Sequence, residues 1–146
     1  MSSWVPTDEQ LAGVYASFWR FMDMSVHRYG SSPTGHVLLV LTIVLLDRIK
    51  IAPTTSELAE ITRMSKSAVS RYVAIEIDRG FLEEIVDAVD RRRRRLHMTA
   101  AARKEHEWHK DMIHGIMQKG TKAFSDDDFS EDGIRELKKL LIDGIN

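Results

Sequence analysis

The chain of 146 residues contains no cysteine. That excludes a disulfide framework, a thiolate zinc site, a cysteine nucleophile and a thiol redox switch. Proline occurs three times and glycine eight times, too few for a low-complexity or disordered chain. Neither charge is in excess: 21 Lys and Arg stand against 22 Asp and Glu, for a net charge of −1. On that total alone nothing points to a polyanionic partner. Long apolar runs are also missing. The longest, Val37–Leu46 (VLLVLTIVLL), is about half of the ~20 residues that cross a bilayer, and Asp47, Arg48 and Lys50 follow it. The start, MSSWVPTDEQ, has neither the basic nor the apolar segment of a signal peptide. The expectation is a cytoplasmic protein with no membrane association. No glycine-rich phosphate loop, no GxSxG elbow and no carboxylate with a partner base is present. The chain is therefore not read as an enzyme, and no cofactor is expected.

What is present is helical periodicity in a chain long enough for one domain with a real core. Behind a capping box at Thr7–Gln10, Leu11, Val14, Tyr15, Phe18, Met22 and Val26 recur at steps of three and four, with Trp19 and Phe21 widening the stripe. Gly30–Gly35 reads as a loop, and His36–Ile51 as a buried central helix ended by Pro53. Ser56–Thr62 and Lys66–Arg79 read as two short helices joined by a turn at Arg63–Ser65, with Gly80 as a left-handed cap. Phe81–Val86 and Arg93–Met98 read as strands joined by Asp87–Arg92. Thr99 caps a long helix to about Phe124, with Ala102, Trp108, Met112, Ile113, Ile116, Met117 and Phe124 inward. After the acidic break Ser125–Asp128, a last helix carries Ile134, Leu137, Leu140, Leu141 and Ile145.

Helix, helix, helix, strand, strand, helix over residues 35–124 is the order of a winged helix-turn-helix. Leu58, Ala59, Met64, Val69 and Tyr72 fall where the two short helices pack together. The second helix of such a unit presents its N-terminal residues to the DNA major groove. Here these are Ser65, Lys66, Ser67, Ser70 and Arg71, hydroxyls and cations suited to phosphates and base edges. The same residues also describe the solvated face of an ordinary surface helix. The run Arg91–Arg95 tips the balance, because five adjacent arginines at a hairpin tip repel one another unless an anion lies alongside. Asp87 and Asp90 offset part of that charge, and a DNA minor groove supplies the rest. A solvated run or a localisation tag is the competing reading. Strand alternation sends Arg91, Arg93 and Arg95 to one side and Arg92 and Arg94 to the other.

Ser56–Arg71 (SELAEITRMSKSAVSR), Arg79–Leu82 (RGFL) and Asp90–Thr99 (DRRRRRLHMT) together resemble the signature stretches of the MarR family of bacterial transcription regulators. The resemblance implies a mainly α fold: a winged helix-turn-helix with a small β-hairpin wing and N- and C-terminal dimerisation helices. Residues 1–146 would form one such domain, with 1–34 and 100–146 supplying the dimerisation helices and 35–99 the DNA-binding lobe. It further implies a homodimer on a pseudo-palindromic operator in double-stranded DNA. Repression would be relieved by a small aromatic or phenolic effector. By position, Asp90 would orient the wing and Arg92 would enter the minor groove, flanked by Arg91, Arg93 and Arg94. An effector pocket would draw on Tyr15, Trp19, His36, Trp108 and Met112, although such stripes equally build cores. The alternative is a winged-helix interaction or dimerisation module that never touches DNA. This sequence departs from the family pattern at Arg63, where many relatives have glycine, at Ala68 for threonine, and in the basicity of Arg93–Arg95.

His106 and His109 lie three apart in HEWH, not four as in HExxH. A zinc site there would need two more donors, such as Asp111, His27 or His36, and none is expected.

Overall fold

A computed structural model describes residues 8–123 together with Val5, Arg135, Lys138 and Leu141. Five helices and one hairpin follow in order: α1 Asp8–Tyr29, α2 Thr34–Arg48, α3 Thr55–Thr62, α4 Lys66–Asp78, β1 Leu82–Val86, β2 Arg94–Met98 and α5 Ala100–Ala123. The expected cap at Thr7, the acidic break and the apolar positions 134, 137, 140 and 145 lie outside the described residues. Two compact units divide the chain. Ser32–Trp108 forms one, and the segments up to Ser31 and from His109 form the other.

In the first-named unit, α2, α3, α4 and the hairpin close around Leu39, Ile43, Leu58, Val69, Val73, Leu82 and Leu96, each at most 5% exposed. Ala59 and Tyr72 are buried against them and Met64 packs at the edge, as the helix-turn-helix spacing requires. Central burial of α2 needs correction. His36, Leu39 and Ile43 point inward, but Leu38, Leu41 and Leu45 are 46%, 40% and 67% exposed. One helix face is all that α3, α4 and β2 can cover, and the VLLVLTIVLL run is apolar on every face.

Element ends shift for identifiable reasons. Gly35 lies in the first turn of α2, not in the loop, because Pro33 occupies the N-cap position. A Cβ at Gly35 would stand 2.8 Å from Met64 Sδ, so its missing side chain lets α2 start against the α3–α4 turn. Pro53 does not end α2. Lys50 does, at φ 60°: its N–H donates to Asp47 O and the Ile51 N–H to Leu46 O, a Schellman closure without glycine. Gly80 closes α4 in the same way, at φ 81°, with the Phe81 N–H on Glu76 O. That bond takes Phe81 out of the strand, and Arg93 leaves β2 because its N–H turns to Asp90 O. The strands pair antiparallel, from Leu82 opposite Met98 to Val86 opposite Arg94. Only Arg94 and Arg95 are therefore in the ladder, and the expected alternation does not extend to Arg91–Arg93.

On α5, Trp108, Met112 and Ile116 share a half-buried face at steps of four, whereas Ile113 is 40% exposed. One residue on from Met112, it is turned about 100° around the axis.

One polar group is set deep in the Ser32–Trp108 unit. The His36 imidazole Nε2 donates to Glu76 Oε1 at 2.8 Å, with both side chains about 5% exposed. The Arg79 guanidinium donates to the same oxygen at 3.1 Å. The His36 ring stacks on Tyr72 with centroids 4.7 Å apart. Glu76→Leu leaves the buried imidazole N–H without a partner and is expected to destabilise by about 1–3 kcal/mol in urea unfolding. Adding His36→Phe should recover more than half of that, since neither polar group then remains. A double variant as unstable as the single one would show that the pair is not the source of the loss.

Candidate nucleic-acid interface

The turn into α4 is built from backbone geometry and one hydroxyl. Arg63 caps α3 in the left-handed region at φ 58°, the conformation that favours glycine and costs other residues on the order of 1 kcal/mol. Ser65 is the N-cap of α4, and its Oγ accepts the Ala68 N–H at 3.2 Å and lies 3.2 Å from Ser67 Oγ. The Ser65 hydroxyl is thus committed to starting the helix. Lys66, Ser67, Ser70 and Arg71 are exposed along its first half. No acidic residue sits in the first turn, so the positive end of the helix dipole is not offset there. The Arg71 guanidinium carbon rests 5.2 Å from the centroid of the Tyr72 ring, and the group has no carboxylate partner among the described residues.

In the hairpin two aspartates fold the tip. Asp87 Oδ1 accepts the Val89 N–H at 3.1 Å and Asp90 Oδ1 accepts the Arg92 N–H at 3.0 Å, two side-chain turns in succession. Between them Val89 is 95% exposed. The arginine run is then divided. Arg91, Arg92 and Arg93 are exposed in the turn and make no ion pair among the described residues. Arg94 reaches Glu84 across the strands at 3.2 Å while 70% exposed, an ordinary surface pair. Arg95 turns inward: Nε donates to Asp87 Oδ2 at 3.0 Å and Nη1 to Ala52 O at 2.8 Å, with Glu57 Oε1 at 3.8 Å from Nη1.

Sequence reasoning grouped Arg95 with the others and missed both its inward role and its partner Glu57. Parity was the available signal. Leu96 and Met98 face the core, so Arg95 stands on the opposite face of β2 from them. Asp87, eight residues back, then stands on the same face of the hairpin, diagonal to Arg95 just past the end of β1.

The effector candidates divide between the units. Tyr15 and Trp19 lie on α1, 70% and 40% exposed, and Met112 is half-buried on α5. Trp108 and His36 belong to the other unit, and His36 is committed to Glu76 and Tyr72. Both histidines of HEWH are engaged, His106 Nε2 with Arg48 at 2.6 Å and His109 Nε2 with the Tyr29 hydroxyl at 2.7 Å. No three His, Asp or Glu residues gather to hold a metal among the described residues. Nor is any single helix there long and apolar enough to cross a membrane.

The Val89 N–H and the Arg95 guanidinium hold the Asp87 carboxyl below the ordinary carboxylate range against an opposing cost of burial, with the charge of Arg93 adding a lesser part. A carboxyl depressed in the folded state stabilises above its unfolded value of about 3.9 and ceases to do so as the pH falls through the folded value. The acid limb of the stability profile should therefore flatten in Asp87→Asn, read by urea unfolding between about pH 2 and 5. An unchanged limb would count against the Asp87–Arg95 contact.

No family model and no curated protein matches the sequence. Solved structures do. The chain is similar to a mutant of MepR from S. aureus, at 14% identity and a TM-score of 0.63 over 97% of this chain and 100% of that one. MepR is also seen bound to ethidium bromide. A MarR-like transcriptional regulator from Thermotoga maritima aligns at 19% identity and a TM-score of 0.61, over 97% and 98% of the two chains. FabT from Streptococcus pneumoniae, in complex with DNA, aligns at 18% identity and a TM-score of 0.59, over 93% and 95%. At these identities the likeness concerns architecture. The chain has the winged helix-turn-helix fold of the MarR-type regulators.

Proposed function

We propose that this chain is a sequence-specific regulator of transcription that binds double-stranded DNA. One observation carries the reading. Lys66 and Arg71 on α4, with Arg91–Arg93 at the hairpin tip, are exposed cations without an acidic partner among the described residues. These are the two elements that a winged helix directs to the major and minor grooves. The lobe as a whole is nearly balanced, with nine basic and eight acidic residues between Pro53 and Ala100. Of the six cations in that stretch that lack an acidic partner among the described residues, five lie on those two elements and the sixth, Arg63, in the turn leading into α4. A merely solvated surface does not require such clustering. FabT, with the same architecture, is seen on DNA. Ser67 and Ser70 add hydroxyls for phosphates or base edges, Ser65 starts the helix that carries them, and Asp90 and Arg94 shape the tip. Repression of transcription, released by a small aromatic effector, is the finer form of the proposal. The ethidium complex of MepR supports it by analogy. The chemistry is recognition, not catalysis.

A homodimer follows from α1. Leu11, Val14, Tyr15, Phe18, Trp19, Met22 and Val26 are all at least 38% exposed, a larger apolar stripe than a monomer leaves in water. A second copy covers it by two-fold symmetry and sets two recognition helices on half-sites about one DNA turn apart.

The protein should select an inverted repeat from a random duplex pool. Changing Arg91 and Arg92 together to alanine should lower the slope of log affinity against log salt by about two per bound protomer. Absence of duplex binding at low salt would end the regulator reading in favour of an interaction module. Sedimentation should give a dimer, and Phe18→Glu should raise its dissociation constant by about 100-fold or more. A wild-type chain that sediments as a monomer overturns the dimer.

A further inference from the structure

We propose that Arg95 is the positioning residue that holds the wing at a fixed distance from the recognition helix, although it touches no DNA itself. This role rests on the DNA-binding reading and adds a component to it. A reader of two grooves needs its two reading elements at a set separation, and a two-stranded hairpin alone is a marginal structure. In this lobe the hairpin is tied down where its strands give way to the tip. The Arg95 fork spans the hairpin, from Asp87 where β1 gives way to the tip, to the Ala52 carbonyl in the segment between α2 and α3. The neighbouring Leu96 N–H donates to Pro53 O at 2.8 Å. Thr54 follows directly as the N-cap of α3, and α3 packs on α4 through Leu58, Ala59 and Val69. From the tip to the recognition helix the connection is continuous.

The charge at Arg95 is already spent. Asp87 lies at 3.0 Å and Glu57 at 3.8 Å, and the side chain is 30% exposed against 70% for Arg94. Removing it takes no free cation from the DNA-facing surface. In Arg95→Lys, which also keeps the charge beside Asp87 and Glu57, any loss of salt dependence must then come from Arg91–Arg93 leaving their places. Lysine cannot substitute. It keeps the charge but has one terminal nitrogen, where arginine offers a rigid fork whose separate donors face Asp87 and Ala52.

The experiment measures affinity for a 40-bp duplex of random sequence (about four turns of DNA) against salt concentration, with thermal unfolding of each variant alongside. Arg92→Ala, which removes a direct contact, should lower the slope by about one per bound protomer. Arg95→Met and Arg95→Lys should each lower it by more than that, towards about three, the full share of the tip. Asp87→Asn, which keeps the Ala52 bond, should fall between wild type and Arg95→Met. If Arg95→Met does not fold, Arg95→Lys and Asp87→Asn carry the comparison. An Arg95→Lys variant indistinguishable from wild type overturns the proposal, as does an Arg95→Met slope no lower than that of Arg92→Ala. If the wild-type protein binds no duplex at any salt while remaining folded, the DNA-binding reading itself fails, and this role with it.

Discussion

Mutual repulsion along Arg91–Arg95 is the constraint around which the lobe is arranged. Two unit charges 4 Å apart in water cost about 1 kcal/mol, and five in a row impose several such terms on a short hairpin. The structure divides the run. Arg95 is drawn inward onto Asp87 and the Ala52 carbonyl, Arg94 is paired across the strands with Glu84, and three arginines stay free in the turn. Each division uses an acid that the hairpin itself supplies. What reaches solvent without an ion pair among the described residues is a compact group of three cations on a tip folded by Asp87 and Asp90. An isolated wing of this composition would splay, and its attachment to the segment before α3 gives the repulsion something to act against.

Much of this was legible in the residues. The helix-turn-helix core follows from the spacing of Leu58, Ala59, Val69 and Tyr72, because both helices are short and each has only one face to bury. Position was harder than type. Chain ends of elements are decided by single backbone bonds, such as Lys50 N–H to Asp47 O, which leave little trace in hydrophobic pattern. The route taken by Arg95 was hidden for another reason. A run of identical residues carries no periodicity of its own, so which arginine turns inward is settled by register with Val86 and Ile85. The buried Glu76 was also not singled out, since a lone acid in a helix reads as surface until His36 is found against it.

The continuous apolar stretch in α2 shows the same limit from the other side. Its composition reads as full burial, yet Leu38, Leu41 and Leu45 remain open. Hydrophobicity reports what a segment tolerates, and the neighbours decide which part of it is used. In α1 the excess is larger and continuous along one stripe, and the proposed dimer rests on that continuity, which scattered exposed leucines lack.

Lys50 and Arg63 stop their helices in the left-handed conformation at φ 60° and 58°, where glycine carries no steric cost. Their side chains bring compensation that glycine lacks. Each places a cation at the negative end of a helix, worth about 0.3–1 kcal/mol. Each also spares the unfolded chain the extra freedom of a glycine, worth about 0.4–1 kcal/mol. Set against a conformational cost on the order of 1 kcal/mol, the three terms nearly cancel. These two stops have little effect on stability, while glycine is kept at position 35, where a side chain has no room. The chain thus keeps glycine at position 35 for contact and at position 80 for a helix stop, and ends these two helices with charge.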